Sequence, residues 1–119
     1  MQKLSETECT AIMQNGDAAN LTTGTAALIL TQSWCAQWKA MKAYLSQVEA
    51  ACPGAKIFYV EYDIEEWKTL DNGAFMGFKE NHFNNRQVPY VRYYRDSVCT
   101  GESNYVSREG FIAKLTAAI

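Results

Sequence analysis

The sequence predicts a mixed α/β fold built from a β–α–β unit, a β-hairpin and a closing helix. Three observations carry this. Thr25-Ala26-Ala27-Leu28-Ile29-Leu30-Thr31 is a short, almost continuous apolar run, the pattern of a strand buried on both faces. Behind Trp34 the spacing turns helical, and a second strand-like run follows at Lys56–Tyr62. Val88-Pro89 then opens a third run, which Asp96-Ser97 turns back on itself.

The elements follow in order. Ser5-Glu6-Thr7-Glu8 is a capping box, with Glu8 three residues after Ser5, so a helix is expected over about Glu6–Gln14, stopping at Asn15-Gly16. Asn20–Gly24 has loop chemistry, and the apolar strand follows. Cys35, Trp38, Met41, Leu45, Val48 and Cys52 recur at steps of three and four, one stripe on a helix of about 17 residues that Pro53-Gly54 ends. Lys56–Tyr62 is rich in aromatic and β-branched residues. The two strands flank a helix, which makes them parallel with a right-handed crossover. Helix is expected around Trp67–Asn72 and again around Gly77–His82, with Asn72-Gly73 as the break. Tyr90–Arg95 and Val98–Glu102 form the hairpin. Ser107 caps a last helix, whose apolar face is Phe111, Ile112, Leu115 and Ile119.

Composition narrows the function. The 119 residues suit a single domain, 1–119, and a hydrophobic share of 48% is enough for a core without a metal or disulfide staple. The net charge is −2 with no basic run, so no nucleic-acid partner is expected. No apolar stretch approaches the roughly 20 residues of a membrane helix. Met1–Glu8 carries no apolar signal region, and the expected compartment is the cytoplasm. Cys9, Cys35, Cys52 and Cys99 are far apart, no C-x-x-C pair exists, and His82 is the only histidine. A zinc site of common spacing is therefore not available, no metal is expected, and the thiols are expected to stay reduced.

Over nearly its whole length the chain resembles thioredoxin. Trp34-Cys35-Ala36-Gln37-Trp38 stands where that family has W-C-G-P-C, between a buried strand and a long helix. Tyr62-Asp63 matches a V-D-like step, Val88-Pro89 stands where the family has its cis-proline, and Tyr93–Ser97 matches its hairpin in kind. The resemblance implies a thioredoxin-like three-layer α/β/α sandwich with a mixed sheet of about four strands. It also implies a cis peptide bond before Pro89, no cofactor, and partners that are protein thiols or disulfides.

The departures bear on mechanism. A cysteine where a helix begins meets unpaired backbone N–H groups and the positive end of the helix dipole, which favour the thiolate, the nucleophile of disulfide exchange. Cys35 is thus the candidate catalytic residue. Its resolving partner in the family is a second cysteine, and here that place is Trp38. Cys52, 17 residues further along the same helix, lies roughly 25 Å away, against the ~7 Å limit for disulfide Cα atoms. A redox cycle then needs an external, glutathione-like thiol. Trp34, Trp38, Val88 and Pro89 are the candidate partner-binding residues. Val88 is expected to offer its backbone to a docked peptide, and Trp38 either to pack in the core or to cover the sulfur and widen a docking face. The family's buried aspartate is replaced by Ile29, and Glu61 stands where the family often has a lysine. Glu61 is a candidate proton acceptor, or else turns to solvent at the strand end. The competing reading is a catalytically inactive protein-binding module of the same fold.

Overall fold

In a computed structural model of the chain, which describes residues 1–18, 21–63 and 72–117, the elements run β1 (Gln2–Lys3), α1 (Glu6–Asn15), β2 (Thr25–Thr31), α2 (Ala36–Ala51), β3 (Lys56–Glu61), α3 (Asn72–Asn81), β4 (Tyr90–Arg95), β5 (Val98–Ser103) and α4 (Arg108–Leu115). They form one mixed sheet in the order β1-β3-β2-β4-β5. β2 and β3 pair in parallel, Ala26 with Lys56 through Thr31 with Glu61, while β4 runs antiparallel to β2 and β5 antiparallel to β4.

The apolar run of β2 is buried on both faces because its side chains alternate between two cores. Ala26, Leu28 and Leu30 join Leu4, Cys9, Ile12, Phe58, Val60, Tyr62, Phe75, Tyr90 and Tyr94 beneath α1 and α3. Ala27 and Ile29 join Trp38, Met41, Leu45, Val48, Ile57, Val91, Tyr93, Phe111 and Leu115 beneath α2 and α4. The stripe on α2 is the seam of the second core, with Trp38, Met41, Leu45 and Val48 fully buried.

Local chemistry sets the element ends. The Ser5–Glu8 capping box forms at both of its hydrogen bonds, and Gly16 closes α1 in the left-handed region at φ 80°. Ser107 accepts from Gly110 N to cap α4. Asp96 and Ser97 carry φ of 50° and 70°, as a two-residue turn matched to the twist of β4 and β5 requires.

Two expectations need correction. The sheet has five strands, because Gln2–Lys3 adds a parallel edge strand to β3, opposite Phe58 and Tyr59. Two residues are too few for a periodic pattern to register. Asn72-Gly73 does not break a helix but lies in the first turn of α3, which runs unbroken to Asn81. The proposed helix at 67–72 falls, up to residue 71, outside the described residues.

Candidate active site

Cys35 is the N-cap of α2, at φ −71° and ψ 119°, and its carbonyl accepts the first helical bond, from Lys39 N at 3.1 Å. The turn that delivers it is pinned from β3. Asp63, just past the strand, accepts from Ser33 N at 2.7 Å and from Ser33 Oγ at 2.6 Å. Cys35 N donates to Gln32 O at 3.2 Å, and Gln32 Nε2 donates to the Tyr62 hydroxyl at 3.4 Å. The Trp34 indole N–H donates to Gln32 Oε1. Trp34 is held by its edge while its ring stays 63% exposed, the most exposed large apolar side chain among those described.

Cys35 itself is only 5% exposed. Its Sγ lies 3.6 Å from the carbonyl oxygen of Val88, to which the thiol donates. The Val88–Pro89 peptide bond is cis, Pro89 is buried, and Val88 is half-buried, touching both cores. The sequence places Cys35, Val88 and Pro89 far apart, and the fold brings them together.

Trp38 departs from the docking expectation. It is 0% exposed, so it adds nothing to a surface shared with Trp34. Its place on the buried seam of α2 sends the indole inward, 5.5 Å from the Tyr59 ring, and its N–H donates to Glu61 Oε2 at 2.8 Å. Glu61 does not turn to solvent. Its carboxylate is claimed by the indole and by Lys42, whose Nζ is 3.9 Å from the same oxygen and 5.8 Å and 5.3 Å above the Trp38 and Tyr59 rings. Ile29, in the aspartate's place, is wholly buried.

The other cysteines are free thiols placed away from Cys35. Cys9 and Cys99 pack with the α1/α3 core, on the opposite face of the sheet. Cys52 caps the far end of α2. Burial, with the Glu8 carboxylate adding to it, pushes the Cys9 thiol far above its usual range, and burial raises Cys99 as well. Among the described residues no group of three or more His, Cys, Asp or Glu is arranged to hold a metal ion, and no helix is long and apolar enough to cross a membrane.

Solved structures supply the decisive comparison. The chain superposes on desulfothioredoxin from Desulfovibrio vulgaris Hildenborough with a TM-score of 0.66 at 17% identity, covering 100% of this chain and 97% of that one. The fold is that of thioredoxin. Thioredoxin O2 from Arabidopsis thaliana is similar at TM-score 0.65 and 16% identity, over 98% and 93% of the two chains. Spinach chloroplast thioredoxin F follows at 0.62 and 16%, over 98% and 84%. No protein-family model matches the sequence, and the search of curated proteins found no match. On this thioredoxin fold, three polar residues of the site escaped sequence reasoning: Gln32, Ser33 and Asp63 as a brace. Asp63 belongs to the Tyr62-Asp63 step, but its pairing with Ser33 has no sequence pattern of its own.

Proposed function

We propose that the chain is a thiol–disulfide protein with one active cysteine, which exchanges through mixed disulfides with protein partners and is released by an external thiol of the glutathione class. The observation that carries this reading is the seat of Cys35. It caps a helix start with its sulfur against the Val88 carbonyl, beside an exposed Trp34, while every other cysteine lies across the sheet or at the far end of α2.

The chemistry balances with one external reductant. The Cys35 thiolate attacks one sulfur of a partner disulfide, a new S–S bond forms to Cys35, the old one breaks, and the leaving thiolate takes up a proton. With Trp38 at the resolving place, a thiolate from solution attacks the Cys35 sulfur and displaces the partner's thiolate, and a second one attacks the small-thiol sulfur now bonded to Cys35, leaving as the small-molecule disulfide and freeing the Cys35 thiolate. Trp34 and the Val88 backbone supply the docking face, and Pro89 packs beneath it. Glu61 holds the Trp38 indole and Lys42, and so fixes the wall beside the sulfur rather than accepting its proton.

The low exposure of Cys35 favours a second reading, a binding module without turnover. The two separate in one experiment. Wild type and Cys35→Ser are incubated with glutathione disulfide, and with candidate partners under trapping conditions. A +glutathione mass on Cys35, reversed by added glutathione, supports exchange. No adduct in the folded protein, with partners retained by Cys35→Ser, overturns it in favour of the module.

A further inference from the structure

The loop that carries Val88 to Cys35 is anchored from two sides by side chains outside the reacting group. Lys79, on α3, is 1% exposed, and its Nζ donates to the carbonyl of Gln87 at 2.5 Å. Asn104, just past β5, donates from Nδ2 to the carbonyls of Gln87 at 3.3 Å and of Pro89 at 2.9 Å. Its amide also pairs both ways with Asn85, at 3.0 Å and 3.1 Å. The carbonyls on either side of Val88 are thus taken, and Val88's own is the one left facing Cys35.

A buried ammonium is a costly way to fill space that a methionine would fill. The groups facing Lys79 among the described residues are the Gln87 carbonyl, the Tyr90 ring 5.9 Å away on β4, and Glu80, its neighbour on α3, whose carboxylate is paired with Arg86 at 3.2 Å. Beyond the Tyr90 ring, Glu102 on β5 is held by the Tyr90 hydroxyl and by Arg92. The strongest interaction of the Lys79 charge is therefore with the loop itself. Burial lowers its pKa to about 8.

We propose that Lys79 and Asn104 are positioning residues for exchange: by fixing the carbonyls that flank Val88, they hold its backbone in place to dock an extended peptide, so that Cys35 favours disulfides carried on peptides over small disulfides. This rests on the exchange reading above.

The test compares second-order rates of Cys35 with a disulfide-containing peptide and with glutathione disulfide, for wild type, Lys79→Met, Lys79→Arg and Asn104→Ala, folding being checked by circular dichroism. The ratio of the two rates cancels the thiolate fraction. Lys79→Met and Asn104→Ala are each expected to lower the ratio about tenfold, the scale of one strong hydrogen bond. Lys79→Arg, which keeps a cationic donor, is expected to restore part of it. In wild type the ratio falls as pH is raised through 8, and in Lys79→Met it stays level. Unchanged ratios in folded Lys79→Met and Asn104→Ala overturn the proposal. If Lys79→Met does not fold, Asn104→Ala decides.

Should wild type react with neither disulfide, the exchange reading fails on its own. The anchor is then read by NMR in a Cys35→Ser background, from the Gln87 and Val88 carbonyl resonances against pH. They are expected to shift near pH 8, and to lose that step in Lys79→Met. Carbonyls that do not respond to Lys79 overturn the anchor as well.

Discussion

The indole N–H of Trp38 donates to Glu61 Oε2 at 2.8 Å, bridging α2 and β3 on the residue that stands three places after Cys35. A side chain at that place lies one helical turn from Cys35, so a thiol there comes within disulfide range. Trp38→Cys is therefore expected to show a clear gain in an insulin-type disulfide reduction assay, where wild type shows little. Mass spectrometry of the oxidised variant should find a two-hydrogen loss between Cys35 and the new thiol. The variant also empties a fully buried indole site, so its stability should fall by about 3–5 kcal/mol. Equal and high activity in both proteins would remove the case for a missing resolver.

Trp38→Phe isolates the hydrogen bond from the ring. It keeps aromatic contact with Tyr59 and leaves one Glu61 oxygen facing a ring edge. A loss of about 1–3 kcal/mol in urea unfolding is expected, part of it the cost of the stranded acceptor. Glu61→Gln keeps an oxygen for the indole and gives up only the 3.9 Å contact to the half-exposed Lys42, so its loss should be under about 1 kcal/mol. Losses in the reverse order would show that Lys42, not the indole, is what Glu61 serves.

The fold was legible where pattern and chemistry coincide. β2 was read at its observed ends because a seven-residue apolar run serves two cores at once. The Asp96-Ser97 turn and the Ser5 and Ser107 caps were legible because each rests on bonds local in sequence. β1 was not legible, since two edge residues are placed by β3 and not by their own pattern. Of the candidate site, the seat of Cys35 where α2 begins and the cis Val88–Pro89 bond were legible. The stripe also read Trp38 as core, which it is; what its burial removes is the alternative from the family position, a lining that widens the docking face. Lys79 does carry a sequence signal: Phe75, Phe78 and His82 share its helical stripe, so a lysine stands at an apolar place.

The hairpin turn offers a gain. Both central residues hold positive φ without being glycine, and Asp96 also accepts from Gly24 N through Oδ1 at 3.2 Å. The double change Asp96→Asn, Ser97→Gly keeps that oxygen and relieves the second position. Stability should rise by about 0.5–1 kcal/mol in thermal or urea unfolding. A loss instead would mean that the Ser97 side chain contributes more than its backbone conformation costs.

Lys79 also predicts how stability changes with pH. Its folded pKa is lowered from 10.5 to about 8 by burial, so between those values the unfolded chain binds the proton that the folded chain has released. Stability then rises with pH across this window, and the cost of the buried charge is felt in full below it. The buried Cys9 and Tyr94 work the other way. Their folded pKa values are raised, so their contribution falls once pH passes the ordinary cysteine and tyrosine values. Those terms are common to wild type and Lys79→Met and cancel in the difference. From pH 7 to 9.5, wild type should therefore gain on the order of 1–2 kcal/mol relative to Lys79→Met in urea unfolding. A difference that is flat across this range would mean that Lys79 keeps its proton in the folded chain, bonded to Gln87 as a permanent cation.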